Sequence, residues 1–339
     1  MTESQLAEKL TKYGQAARRG ADWLLDHQSE DGSIGPVREY IEYYRVPEAF
    51  ALVGERVAAV RVLDWIRRNM LTPQGALEGV SPLGWSEHAY GSYPIGCLIN
   101  GASLLGEVDV VACGLQDLLQ WQDGSGGFYR SRKDRSAEAE LELCPTAQAG
   151  MTLLQVGQIE PARAAGRWLK QLWDAQPDIE QQLFTVMRCN GELVGGPFDN
   201  EADAVYYATR KDDPWQHHFN PGIAAACLAQ LYRVTGESEW LDAARNFQEF
   251  SMTTDPCQFR SMQVCKSGWG SGMLYVATQE TQYRDWTVRL GDWFVENQQE
   301  AGYWKGTAHW TPEPTLANLI EATAEFVGHT ARIESFLSV

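Results

Sequence analysis

The feature that most constrains this chain is an alternation of two kinds of apolar segment along its length. Six amphipathic stretches carry aromatic or leucine residues at helical spacing, around the markers Trp23, Trp65, Leu119, Trp168, Phe247 and Trp293. Between them lie six segments that are richer in Gly, Ala and Cys and poorer in charge: residues 48–53, 94–105, 145–156, 221–232, 270–277 and 314–326. A regular internal period of this kind indicates an architecture built from repeated units.

The alternation predicts two concentric layers of helices. An amphipathic helix suits an outer layer with one wet face, whereas a helix of small, uncharged residues suits an inner layer that touches protein on most sides. Several inner segments begin at a proline, which the first turn of a helix tolerates. We therefore predict an all-α fold, an (α/α)6 toroid of six helical hairpins that forms a single domain over residues 1–339.

The interval before the fifth outer segment is longer than the others, and its extra residues, about 177–216, predict an insertion over one mouth of the toroid. Two apolar runs, 183–188 and 192–194, flank Asn190 and Gly191. This dipeptide is typical of a two-residue β-hairpin turn in which both positions have positive φ. A second insertion, residues 130–142, is interpreted as either a solvated mobile loop or a lid.

Three outer segments end in related loops, at residues 23–33, 118–128 and 293–304, with aromatic, Gln, Gly and aromatic residues in order. This pattern resembles the QW repeat of terpenoid cyclases of the squalene and hopene type, and the resemblance implies that each Gln caps a neighbouring helix end. Residues 220–245 are similar to helical hairpins of six-hairpin sugar enzymes, including N-acylglucosamine 2-epimerases and unsaturated uronyl hydrolases. Both resemblances imply the same toroid.

The catalytic signatures of these families are absent from the sequence. Residues 199–203 do not have the order of the D-x-D-D proton-donor motif, and the residues after Asp212 and Asp213 do not complete a D-D-x-x-D magnesium motif. The ordered Asp, Cys and His that bind zinc in the related protein prenyltransferase β-subunits are not visible either. We expect no metal and no cofactor, with side chains alone carrying the chemistry.

Charge and cysteine usage restrict the partners. A net charge of −17 repels a phosphate backbone or an anionic lipid surface. The sequence shows no membrane-spanning run and no secretory leader, so we expect a cytoplasmic protein with a small-molecule substrate, and neither nucleic acid nor membrane as a partner. Seven scattered cysteines predict reduced, mostly buried thiols. Cys265 is the exception, because the neighbouring Lys266 ammonium could favour a thiolate.

Candidate site residues lie just before the inner helices, where loops form the mouth of a toroid. A histidine at a helix N-terminus has its pKa lowered by the helix dipole and stays a neutral base near pH 7. The candidate catalytic residues are His217, His218, His88, His309, Glu48 and Lys266. The candidate substrate-binding residues are Tyr43, Tyr44, Arg45, Trp85, Tyr90, Tyr93, Trp215, Trp269, Trp310 and Glu313. Since His217 and His218 are adjacent, we expect them to point to different faces.

Aromatic residues dominate these junctions and carboxylates are few. The sequence therefore favours a cofactor-independent cyclase or isomerase that acts on a hydrophobic or amphiphilic natural product, of terpenoid or polyketide type, by acid/base catalysis in an aromatic-lined cavity. Two alternatives stay open: a carbohydrate-active enzyme, either a sugar 2-epimerase or an unsaturated uronyl hydrolase, and a non-catalytic binding toroid. A cavity with a dense polar lining would favour the carbohydrate reading.

Overall fold

A computed structural model describes residues 1–35, 43–78, 91–132, 134–197, 201–260, 264–306 and 313–339. Within these ranges, twelve α-helices form two layers. The outer helices are α1 (Glu3–Leu25), α3 (Arg56–Asn69), α5 (Val108–Leu119), α7 (Ile159–Asp174), α9 (Ser238–Met252) and α11 (Thr281–Asn297). The inner helices are α2 (Val46–Leu52), α4 (Tyr93–Leu105), α6 (Leu143–Gln155), α8 (Phe219–Thr235), α10 (Cys265–Thr278) and α12 (Leu316–Leu337). The predicted all-α toroid is confirmed.

The two layers differ in burial as the sequence predicts. The inner helix α10 buries every residue from Cys265 to Tyr275. The outer helix α7 buries a stripe that includes Ala165, Trp168 and Leu172, and its remaining faces are wetter. Small residues on the inner helices let them pack closely around the central space, which we call the lumen.

Each inner helix except the last forms a hairpin with the outer helix that follows it in the chain, and not with the outer helix that precedes it. Short turns join each of the inner helices α2, α4, α6, α8 and α10 to the outer helix that follows it, and α1 packs against α12 to close the ring. Gly106 and Gly236 end α4 and α8 in the left-handed conformation, which lets the chain reverse at once. The connections from outer to inner helices are longer than these turns.

Four of those long connections begin with the same tight loop. Its closing hydrogen bonds run from Ser29 N–H to Ser33 O (2.8 Å), Thr72 to Ala76 (2.9 Å), Asp123 to Gly127 (2.8 Å) and Gln299 to Tyr303 (2.9 Å). Each loop contains a glycine at positive φ whose missing side chain lets the loop press on the backbone of the next outer helix. The Thr72 loop was missed in the sequence because its first position holds Leu71 instead of glutamine.

The glutamines of the other three loops tie neighbouring outer helices together. Gln28 donates its side-chain amide to Ala58 O at 3.0 Å, Gln122 to Pro161 O at 2.9 Å and Gln298 to Ala16 O at 2.8 Å. The acceptors are helix carbonyls, and Ala16 lies in the middle of α1. Ala58 and Pro161 lie in the first turns of α3 and α7, so two of the three glutamines bind at the end of a neighbouring helix, as the resemblance implies, and all three join neighbouring outer helices.

The predicted β insertion is present, but it forms two small sheets. Strand β1 (Glu140–Glu142) pairs with β3 (Val186–Arg188), and β2 (Gln182–Phe184) pairs with β4 (Ala208–Arg210), both antiparallel. The expected two-residue turn is wrong in detail. Gly191 alone has positive φ, and its N–H donates to Arg188 O at 2.8 Å. The loop is thus a three-residue turn, and a single bridge joins Met187 to Leu193.

Residues 130–142, interpreted as a solvated mobile loop or a lid, are exposed at Arg132 and over 134–138 and are buried at both ends. Arg130 is buried, lies 4.3 Å above the Tyr207 ring and binds Glu140 at 2.9 Å. Leu141 is buried where β1 pairs with β3. Because strand pairing and a buried ion pair fix both ends, the segment belongs to the insertion.

None of the described helices is both long and apolar enough to cross a membrane.

Candidate functional site

Charged side chains converge in the lumen, where the N-terminal ends of α2 and α10 face the middle of α12. We call this group the lumen cluster: Arg45, Glu48, Lys266, Glu321, Glu325, His329 and Arg332. Arg45 directly precedes α2 and Glu48 lies in its first turn, while Lys266 is in the first turn of α10. The other four lie on α12, where spacings of four, four and three residues place them on one face of the helix.

Arg45 bridges two carboxylates of α12. Its Nη1 atom lies 2.9 Å from Glu321 Oε1 and 2.8 Å from Glu325 Oε2. The guanidinium also lies 4.8 Å from the ring centre of Tyr44 and 5.4 Å from that of Tyr93. Charge-assisted hydrogen bonds and ring contacts together fix the guanidinium at the centre of the lumen cluster.

Glu325 has a second cationic partner, the Lys266 ammonium, at 2.5 Å. Burial alone would raise the pKa of the Glu325 carboxyl, but Arg45 and Lys266 outweigh it and hold this pKa well below the usual range. Burial likewise opposes the charge of Lys266, but its neighbours Cys265, Glu325 and Tyr93 raise the Lys266 pKa well above the ordinary value. Both groups are therefore charged at neutral pH.

Glu321 is in the opposite situation. Burial raises the pKa of its carboxyl, and the nearby Glu325 charge adds to this effect against the attraction of Arg45. The Tyr44 hydroxyl donates a hydrogen bond to Glu321 Oε1 at 3.0 Å. Two carboxylates one helical turn apart thus have pKa values displaced in opposite directions, an arrangement that separates acid and base roles.

Glu48 and Arg332 form a further ion pair across the lumen, between α2 and α12. The Arg332 guanidinium carbon lies 4.7 Å from the ring centre of Trp269 on α10. Three inner helices therefore contribute to one contact, in which an arginine is stacked on an indole and bound by a carboxylate.

His329 is the candidate base of the site. Its Nε2 atom lies 3.6 Å from Glu325 Oε1, and its ring meets Trp269 edge-on at 5.3 Å. Burial lowers the His329 pKa to about 4. The imidazole is therefore neutral at pH 7 and able to accept a proton, and the Glu325 carboxylate lies where it would stabilise the imidazolium that results.

Five members of the lumen cluster line a cavity of about 20 Å³, in a space of about 320 Å³ that includes open solvent. Its lining comprises Arg45, Glu48, Ala49, Tyr93, Cys97, Gln148, Trp269, Ala324, Glu325, Gly328, His329 and Arg332. Chemically, the cavity offers a neutral base, carboxylates, guanidinium groups and two aromatic faces. The lining is denser in charge than the sequence led us to expect.

The insertion reaches the lumen through a chain of rings. The ring centre of Phe219, the first residue of α8, lies 5.2 Å from Lys266 Nζ and 5.0 Å from that of His217, on which it stacks. Tyr206 of the 3-10 helix Glu201–Tyr206 contacts His217 edge-on at 5.2 Å. His217 is thus next to the lumen cluster. His218 turns the other way, with Nε2 3.4 Å from Pro214 O, and burial lowers its pKa.

Several predicted site residues lie where the sequence placed them. Tyr44, Arg45, Glu48, Tyr93, Lys266 and Trp269 all belong to the lumen cluster or contact it. The expectation that His217 and His218 point to different faces agrees with their different ring contacts. Which of these residues binds or turns over a substrate stays a prediction.

Three predicted binding residues lie elsewhere. Tyr43 is a core residue, because it is fully buried, stacks on Trp65 at 4.5 Å and bonds through its hydroxyl to the Ile34 backbone. Trp215 and Glu313 are exposed at the surface, Trp215 by 49%. Trp85, His88, Tyr90, His309 and Trp310 lie outside the described residues.

Four important residues were missed in the sequence: Glu321, Glu325, His329 and Arg332. The sixth inner segment predicted from the sequence ends at residue 326. The helix α12 instead begins after a capping box at Thr315 and continues to Leu337. A signal was available, since charged and polar residues at i, i+4, i+8 and i+11 in an otherwise apolar helix mark one polar face. Such a stripe on an inner helix has to point into the lumen.

Cys265 does not have the thiolate character expected from Lys266. Burial raises the pKa of its thiol to about 12, and its Sγ lies 3.7 Å from Glu325 Oε1. Cys265, Glu325 and His329 offer three potential metal ligands within 4.8 Å of one another. A cation there would compete with Lys266 for the same Glu325 oxygen, so the charges already present oppose a metal.

Comparisons with known proteins support the fold. The structure is similar to that of a family 76 glycoside hydrolase from a bovine Bacteroides thetaiotaomicron strain (TM-score 0.63, 12% identity, covering 94% of this chain and 77% of that one). It is also similar to a D-mannose isomerase (TM-score 0.65, 12% identity, 97% of each chain). A variant of the type II terpene cyclase MstE from Scytonema, in complex with geranylgeranyl dihydroxybenzoate, gives a TM-score of 0.62 at 12% identity, with 97% of this chain and 99% of that one covered.

No protein-family model matches the sequence, and a comparison with curated protein sequences gives no match. At 12% identity the structural neighbours establish the toroid and nothing finer. An argument about function therefore has to come from the lumen cluster.

Proposed function

We propose that this protein is an enzyme that transfers protons on a hydroxyl-rich, carbohydrate-like substrate, as a sugar isomerase or epimerase does. The observation that carries the proposal is the position of His329, a neutral imidazole between the Glu325 carboxylate and the Trp269 ring on the wall of the cavity. The charged lining supports it, because hydroxyl groups need many polar partners. The sequence alone favoured a hydrophobic substrate on the ground that carboxylates were few, and that ground is removed by Glu321 and Glu325.

His329 would remove a proton from a carbon next to a carbonyl group. Glu325 stabilises the imidazolium that forms, and the nearby guanidinium groups stabilise the negative charge that develops on the substrate oxygen. The face of Trp269 that Arg332 does not cover would supply an apolar surface for the sugar ring. Delivery of the proton to the neighbouring carbon, with the hydroxyl proton passed to the former carbonyl oxygen, would give an isomer, whereas protonation of the original carbon on its opposite face would give an epimer.

The proposal is tested by proton exchange. The protein is incubated in D2O with separate aldoses, ketoses, N-acylhexosamines and unsaturated uronides, and carbon-bound deuterium is followed by NMR. We expect exchange in at least one substrate class, and we expect His329→Gln to reduce the rate by about 10²- to 10⁴-fold because the base is lost. His27→Gln is the matched control, since His27 lies on the outer layer and bonds to Trp23 O.

Two results would contradict the proposal. One is the absence of exchange with every polar substrate, and the other is an unchanged rate in the His329→Gln variant. In either case the residues of the lumen cluster would need another role.

A second candidate is a cofactor-independent cyclase or isomerase that acts on a hydrophobic or amphiphilic natural product. The specific observation in its favour is that lumen rings already hold cations: Trp269 contacts Arg332 at 4.7 Å, and Phe219 contacts Lys266 at 5.2 Å. Rings in such positions would also stabilise a carbocation. Incubation with polyprenyl substrates, followed by mass spectrometry, separates this candidate from the first.

A further inference from the structure

Every cation of the lumen cluster has a glutamate partner. Arg45 binds Glu321 and Glu325, and Lys266 binds Glu325. Arg332 binds Glu48. His329 adds no charge at neutral pH, because burial lowers its pKa to about 4. Three basic side chains are therefore matched by three glutamates within the lumen cluster.

Glu48 and Arg332 both line the cavity directly. A guanidinium stacked on an indole is a typical protein site for a carboxylate, which it binds through planar, charge-assisted hydrogen bonds. Here the carboxylate comes from the protein itself, because Glu48 in the first turn of α2 forms an ion pair with Arg332. Glu48 thus holds the place that the carboxylate of an anionic substrate would take.

We propose that Glu48 is a specificity-determining residue that makes the lumen reject anionic substrates in favour of uncharged ones. The proposal rests on the proposed function, and it narrows the substrate class to neutral, hydroxyl-rich molecules.

Electrostatics gives the reason for the rejection. An entering carboxylate has to displace Glu48 from Arg332 and leaves Glu48 as an unpaired charge in a buried site, which is costly. If the carboxylate does not displace it, two anions face each other in a space of low dielectric constant. The net charge of −17 adds a long-range repulsion to the approach of any anion. Specificity that depends on such a repulsive element is common in binding sites.

The experiment compares a neutral sugar with its carboxylated counterpart. Binding of D-mannose and of D-mannuronate is measured by calorimetry for the wild-type protein and for Glu48→Gln. We expect the wild type to bind D-mannuronate at least tenfold more weakly than D-mannose. Glu48→Gln releases Arg332 while keeping the size of the side chain, so we expect its affinity for D-mannuronate to rise at least tenfold.

Two controls separate specificity from a general change in charge. Glu55→Gln breaks a similar pair, between Glu55 and Arg18, outside the lumen and should leave both affinities unchanged. The double variant Glu48→Gln, Arg332→Gln removes the clamp and should lose the gained affinity.

A stability measurement keeps the proposal testable if Glu48→Gln folds poorly. For Glu48→Ala, sodium formate should raise the melting temperature above its value in sodium chloride at equal ionic strength, because formate replaces the missing carboxylate beside Arg332. The wild-type protein should show no such difference.

The proposal is overturned if the wild type binds D-mannuronate as tightly as D-mannose. It is also overturned if Glu48→Gln gains no affinity and Glu48→Ala gains no stability with formate. These outcomes are independent of the exchange experiment with His329→Gln. A protein that exchanges substrate protons yet prefers D-mannuronate would refute the role of Glu48 and leave the proposed function intact.

Discussion

The ion pairs of the lumen and those of the outer layer have similar contact distances and opposite surroundings. Glu325 and Lys266 lie 2.5 Å apart with side chains about 5% and 6% exposed. Glu8 and Lys12 on α1 lie 2.7 Å apart with more than half of each side chain in water. Water screens the outer pair, whereas the lumen pair has lost its hydration and depends on its partners.

The difference in burial indicates that the ion pairs of the lumen and those of the outer layer have different roles. A buried ion pair is seldom more stabilising than an apolar replacement of the same volume, so stability alone does not account for seven charged or titratable groups at the centre of a toroid. Groups with strongly displaced pKa values in a cavity are typical of functional sites. The outer pairs need no such explanation, because solvated charges keep the outer face wet.

We expect the largest effect on stability from the removal of Glu325. Glu325→Gln leaves Arg45 and Lys266 facing each other without their shared anion, and we expect the free energy of unfolding to fall by about 3–5 kcal/mol. Urea denaturation followed by circular dichroism measures the change. Glu8→Gln is the matched outer-layer control, and its midpoint should equal that of the wild type. Equal effects at both positions would contradict the distinction.

The pH dependence of stability tests whether His329 is buried and neutral in the folded protein. The pKa of His329 is about 4 in the folded protein and ordinarily 6.5, so between these values the unfolded chain binds a proton that the folded protein does not. Stability therefore falls as the pH decreases from 6.5 to 4, by at most about 1.4 kcal/mol per pH unit for this group. His329→Gln should show a shallower decline in urea midpoints over this window. Parallel profiles for the two proteins would contradict the buried, neutral state of His329.

The smallest expected effect concerns the clamps of the outer layer. Gln298 donates to Ala16 O at 2.8 Å and to Gly302 O at 2.7 Å, so it joins the last outer helix to the first. Gln298→Ala should lower the free energy of unfolding by about 1–2 kcal/mol through the lost hydrogen bonds. Gln282→Ala, an exposed glutamine at the start of α11, should change it by less than about 0.5 kcal/mol. A larger loss at Gln282 would refute the clamp.

Much of the toroid could be predicted from sequence because its signals are local. Alternation of amphipathic and small-residue segments depends on which face of a helix meets water, and a proline or a capping residue acts within one turn. Which helices pair with one another was harder to predict. The pairing of α1 with α12 joins residues at the two ends of the chain, and no local pattern specifies that contact.

The candidate site divides in the same way. From the sequence one could predict that Arg45, Glu48, Tyr93 and Lys266 lie at the entrances to inner helices, and with that at one mouth of the toroid. The tertiary structure alone decided their partners, since closing the ring brings Arg45 to Glu325, 280 positions away, within hydrogen-bond distance. The displaced pKa values of Glu321, Glu325 and His329 come from that closure, because desolvation and neighbouring charge depend on what surrounds a side chain in space.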